Sequence, residues 1–76
     1  MNPERELVNK LAQFGYVVVR QTGSHIRLEL ESKEGILSLT IPNHKDLKVG
    51  TLSAILRLAA HQLNVDKDDL IRKMYS

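Results

Sequence analysis

The 76-residue sequence contains no cysteine, which excludes disulfides and thiolate metal sites. It has no tryptophan, and Phe14, Tyr16 and Tyr75 make up its 4% of aromatic residues. A platform that stacks single-stranded bases needs aromatic side chains on a sheet face. Their scarcity favours contact with the backbone of duplex or structured RNA over base stacking. No long apolar run is present. The start, Met-Asn-Pro-Glu-Arg-Glu, is polar and has none behind it, so neither a signal peptide nor a transmembrane helix is expected. A cytoplasmic protein without membrane association is the expectation. A glycine-rich phosphate loop is missing too. Gly15, Gly23, Gly35 and Gly50 stand singly, each with a turn or cap to explain it. The histidines, His25, His44 and His61, form no His-x-x-x-His or His-Glu-x-x-His pair. No metal and no cofactor are expected.

What remains is an ordinary globular composition, 42% hydrophobic and 26% charged, at a length that suits a single domain over residues 1–76. The formal net charge is only +2, but the acids are unevenly spread. None lies between Leu7 and Leu28, which hold Lys10, Arg20 and Arg27. None lies between Leu47 and Val65, which hold Lys48 and Arg57. If these two segments share a face, that face is positive and suits phosphates. Otherwise the charges scatter over a solvated surface.

Asn2 and Pro3 read as an N-cap and first helical position, with Leu7, Val8, Leu11, Ala12 and Phe14 at helical spacing and Gly15 as the stop. A helix is predicted over Pro3 to Phe14. The β-branched run from Tyr16 to Gln21 predicts a strand, and its three consecutive valines predict burial on both faces or a central position. Ile26, Leu28 and Leu30 alternate with charged residues in a half-buried second strand. Leu37, Leu39 and Ile41 form a third, which Pro42 ends. A polar loop then leads to a second helix opened by Gly50 and Thr51, with Thr51 as the cap and an apolar stripe of Leu52, Ile55, Leu56, Ala59 and Leu63. Asp66 caps a short third helix over 66–74. Short connections make the strands an antiparallel meander, covered on one face by helices. The fold class is therefore α+β, a two-layer sandwich.

His25 stands in the polar turn Arg20-Gln21-Thr22-Gly23-Ser24-His25 between two strands. A side chain there can be exposed and firmly held, and the ordinary pKa of histidine suits proton transfer. His44 precedes a helix N-terminus and neighbours Lys45 and Lys48, and such a terminus attracts anions. These two basic loops fit a polyphosphate ligand. The plain alternative is that Ser24 and Thr51 only close turns and both histidines are solvated. His61 reads as a surface residue.

The segment Gly15 to His25 resembles the strand-turn motif of the HicA (YcfA-like) toxins, and Ile41-Pro42-Asn43-His44 with Leu47 to Leu52 and Ile55-Leu56 resembles the second motif of that family. The two appear in the family's order, and the resemblance covers about Glu4 to Leu58. It implies a double-stranded-RNA-binding-domain-like fold of order α-β-β-β-α. It also implies a metal-independent endoribonuclease toxin acting on mRNA and neutralised by a HicB-like antitoxin, with His25, the histidine of Gly-Ser-His, as the catalytic one. Around it, Arg20, Gly23, Ser24, Lys45, Lys48 and Thr51 are candidate RNA contacts, and His44 is a possible second proton carrier. The alternative is a non-catalytic RNA-binding module of the same fold. Residues 64–76 depart from the family pattern by adding a capped helix.

Overall fold

The structure is a computed structural model that describes residues 2–76; Met1 of the expected 1–76 domain lies outside them. The elements run α1 (Pro3–Ala12), β1 (Val17–Gln21), β2 (His25–Ser32), β3 (Gly35–Pro42), α2 (Val49–Leu63) and α3 (Lys67–Met74). This is the expected α-β-β-β-α order with one helix added. Asn2 caps α1 by accepting a hydrogen bond from the Arg5 amide at 2.9 Å, with Pro3 at its first position. The helix ends at Ala12, two residues short of the predicted Phe14. Gly15 follows with φ +106°, where an added Cβ would sit 3.2 Å from Leu30 Cδ1. Asp66 caps α3 as predicted, accepting from the amides of Asp68 and Asp69.

The sheet is an antiparallel meander in the order β1-β2-β3. β2 is the central strand. Its Ile26, Leu28 and Leu30 are buried while Arg27 and Glu31 are exposed, so the period-2 pattern maps directly onto the two faces. Leu7, Val8 and Leu11 from α1, Leu39 and Ile41 from β3, and Ile55, Leu56, Ala59 and Ala60 from α2 complete the core. α3 adds Leu70 and Met74, both buried. Tyr16, also buried, donates a hydrogen bond from its hydroxyl to Gln62 Oε1 at 2.8 Å, and Gln62 Nε2 donates in turn to the Ser38 carbonyl at 2.8 Å. This chain of bonds ties α2 to β3. Among the described residues, no helix is long and apolar enough to cross a membrane.

Two expectations are corrected. The valines are neither central nor buried. β1 is an edge strand, and Val17, Val18 and Val19 are 62%, 42% and 48% exposed. α1 and α2 both pack against β3, at the far side of the sheet, and leave β1 uncovered. The β-branched run therefore reflects a preference for extended backbone, not burial. Thr51 is not the cap of α2. The helix begins at Val49, with Lys48 extended at the N-cap position and no side-chain cap bond, so Thr51 lies within the first turn.

Two tests follow from this packing. Leu28→Ala removes a side chain with no exposure from the central strand and should cost about 2–5 kcal/mol, read as a lower denaturant midpoint. Burial pushes the Tyr16 hydroxyl up to about 12 from its ordinary 10.0. The folded value lies above the unfolded one, so this contribution to stability is complete below pH 10 and is lost as pH rises towards 12. An absorbance titration of phenolate should show a late step near pH 12 that disappears in Tyr16→Phe.

Candidate functional site

The β2–β3 register sets His25 opposite Pro42, the last residue of β3. The Asn43 amide donates to the Ser24 carbonyl at 2.9 Å, so the loop after β3 is stitched to the turn before β2. The N-terminus of α1 closes the third side. These segments line an open cleft of about 640 Å3, within the size range of small-molecule sites. α1 and its cap contribute Asn2, Glu4 and Arg5. The β1–β2 connection contributes Gln21 to Ile26, and the loop after β3 contributes Asn43, His44 and Lys45.

His25 is the first residue of β2, not a turn residue, and its side chain is exposed. Thr22 builds the turn before it. The Thr22 amide donates to the His25 carbonyl at 2.9 Å, and Thr22 Oγ1 accepts from the His25 amide at 3.1 Å and the Ser24 amide at 3.4 Å. The Ser24 hydroxyl lies 3.0 Å from His25 Nδ1. When Nδ1 carries the proton and donates to Ser24, the Nε2 lone pair is free to accept one. Gly23 is not required by the turn. Its φ lies outside the left-handed region, and a Cβ there would meet nothing within 4 Å. A glycine with no local need for one leaves bare backbone that a ligand can approach closely.

Of the residues singled out from the sequence, His25, Gly23, Ser24, His44 and Lys45 line the cleft together. Arg20, Lys48 and Thr51 do not. Arg20 stands opposite Arg27 across β1 and β2, Lys48 is the N-cap residue of α2, and all three are exposed. Of the Lys and Arg residues in the acid-free segments, none lines the cleft. Lys10 is committed elsewhere, donating to the Met74 carbonyl at 3.0 Å with its ammonium 4.6 Å from the centre of the Tyr75 ring. The cations that line the cleft are Arg5 and Lys45.

Sequence reasoning missed Glu4 and Arg5. Glu4 is almost fully buried at 7% exposure, in the first turn of α1, where the helix dipole favours an anion. Its Oε2 lies 3.5 Å from His44 Nδ1, while its Oε1 is buried with no hydrogen-bond partner among the described residues. The helical spacing carries a signal for it, since Glu4 stands three and four residues before Leu7 and Val8, on the apolar face. Among the described residues, no three of His, Cys, Asp and Glu gather to hold a metal ion.

A family model described as "HicA toxin of bacterial toxin-antitoxin" matches residues 5–60. The chain belongs to the HicA toxin family. It is therefore a toxin module of a bacterial toxin–antitoxin system. Comparisons with curated proteins and with solved structures return no match. The matched span holds both loops of the cleft. Glu4 stands one residue before it, and α3 lies beyond it.

A buried carboxylate oxygen without a partner costs about 1–3 kcal/mol. Glu4→Met, which keeps the bulk and removes the charge, should raise the unfolding free energy by about that amount in a denaturant melt. A fall instead means that the His44 contact and the helix N-terminus outweigh the desolvation.

Proposed function

We propose that this HicA-family protein is a metal-independent endoribonuclease that cleaves mRNA in the cytoplasm, with His25 as its proton carrier, and that a HicB-like antitoxin neutralises it. The observation that carries this reading is His25 itself. It is exposed in the cleft and paired through Nδ1 with Ser24, so that one ring nitrogen remains for a substrate.

RNA carries its own nucleophile, the 2′-hydroxyl. A base removes its proton, the oxygen attacks the neighbouring phosphorus, and the bond to the 5′-oxygen breaks. The products are a 2′,3′-cyclic phosphate and a 5′-hydroxyl. His25 acts as the base through Nε2. Charge grows on the phosphate oxygens in the transition state, and cations held at the site stabilise it. Lys45 and Arg5, the cations that line the cleft, take this role, and the Gly23 backbone lets the phosphate come close. Ser24 orients His25. Arg20, Lys48 and Thr51, outside the cleft, serve as contacts for flanking backbone phosphates.

The test is a cleavage assay on labelled RNA in the presence of a chelator. Wild type should cut RNA and leave DNA of the same sequence intact, because DNA lacks the 2′-hydroxyl. His25→Ala should keep its melting temperature and its RNA affinity but lose at least a hundredfold in cleavage rate. Gly23→Ala should fold normally and weaken RNA binding. RNA that is shifted but never cut, even by wild type at high concentration, would identify a non-catalytic RNA-binding module of the same fold and sink the nuclease assignment.

A further inference from the structure

We propose that Glu4 and His44 form a carboxylate–histidine pair that serves as the general acid of the cleft, with His44 donating the proton and Glu4 acting as the positioning residue. The proposal rests on the nuclease reading above and supplies the step which that reading leaves open. A base alone does not complete cleavage, because the departing 5′-oxygen leaves as a poor alkoxide unless it is protonated.

The observations converge on this pair. Among the described residues Glu4 is the buried acid, with its side chain 9% exposed, and its Oε1 has no hydrogen-bond partner there. Such a carboxylate destabilises the fold unless a cation compensates it. The group it meets is His44, whose Nδ1 lies 3.5 Å from Glu4 Oε2 and whose side chain is 67% exposed. With Nδ1 on the Glu4 side of the ring, His44 keeps its Nε2 edge for the cleft. The carboxylate beside Nδ1 sets which nitrogen faces out, the logic by which a buried carboxylate orients a catalytic histidine elsewhere. His25 and His44 line the same cleft from two segments joined by the Asn43–Ser24 bond, so two proton carriers reach one substrate from different elements.

The proton balance closes. His25 Nε2 takes the proton of the 2′-hydroxyl as the bond from the 2′-oxygen to phosphorus forms. The bond from phosphorus to the 5′-oxygen breaks, and that oxygen takes the proton from His44 Nε2. His25 leaves the step protonated and His44 neutral, and exchange with water restores both.

The experiment compares two RNA oligonucleotides of one sequence, with the full-length protein. One is ordinary RNA; the other carries a bridging sulfur in place of the 5′-oxygen at the mapped cleavage site. A thiolate leaves without protonation, so the second substrate needs no acid. On ordinary RNA, His44→Ala and Glu4→Gln should each slow cleavage at least thirtyfold. On the sulfur-bridged RNA both deficits should shrink to less than threefold, while His25→Ala stays inactive on both. Losses of equal size on the two substrates, or no loss on either, would overturn the pair and leave the nuclease standing. Failure of wild type to cut ordinary RNA would instead overturn the nuclease reading, and the pair with it. Should Glu4→Gln lower the melting temperature, His44→Ala, a change at an exposed side chain, carries the same comparison.

Discussion

The register of β2 against β3 is the constraint on which the rest depends. Ser32 and Gly35 close a tight hairpin, with Ser32 Oγ donating to the Gly35 carbonyl at 2.7 Å. From that end the pairing runs without interruption to His25 opposite Pro42. A slip of one residue would turn Ile26, Leu28 and Leu30 to solvent, so core burial enforces the register. The same register carries the functional geometry. Because His25 meets Pro42, the next residues of the β3 side, Asn43, His44 and Lys45, fall beside the turn that precedes β2. Packing at one end of the sheet thus fixes which polar residues meet at the other.

The cleft spends stability that the core supplies. A nearly buried carboxylate with an oxygen unpartnered among the described residues, an exposed histidine on an exposed serine, and a glycine that the turn does not need are each locally unfavourable or locally unnecessary. They occur together in one place. In α1, α3 and β2 the local choices agree with the fold: Asn2 and Asp66 cap their helices, and β2 alternates cleanly. Three such features in one cleft are the pattern expected where function works against stability.

Much of this was legible in the sequence. Period-2 and helical spacings marked α1, β2, β3 and α2, because burial on one face imposes them, while β-branched residues marked β1 and the Asp66 cap marked α3. The Gly23-Ser24-His25 turn and the His44-Lys45 loop were recognisable as a pair, and they do meet. What failed was what depends on position in the assembled fold. The valines of β1 read as buried because β-branched residues favour extended backbone whether or not a helix covers them. Thr51 read as a cap because its hydroxyl could serve as one, yet α2 begins at Val49 and makes no side-chain cap bond. Glu4 escaped notice because an acid in the first turn of a helix is already explained by the dipole. Helical spacing puts Glu4 on the apolar face, but only the three-dimensional arrangement shows what it meets there, a loop some forty residues away in sequence.

The added helix α3 raises the question of whether it obstructs the cleft. Its anchors answer it. Leu70 and Met74 are buried in the shared core, Lys67 Nζ donates to Ser53 Oγ at 2.6 Å, and the Met74 carbonyl accepts from Lys10 Nζ. Lys10 lies in the last turn of α1, whereas Asn2, Glu4 and Arg5 line the cleft from its first. At about 1.5 Å of rise per residue, the six residues from Glu4 to Lys10 separate those ends by roughly 9 Å along the helix axis. α3 therefore braces the end of α1 remote from the cleft. None of its residues lines the cleft. By holding α1 at its far end and adding apolar burial, it supports the helix whose N-terminus must keep a carboxylate buried beside His44. The addition acts on the site through the rigidity of α1 and leaves the approach to His25 open.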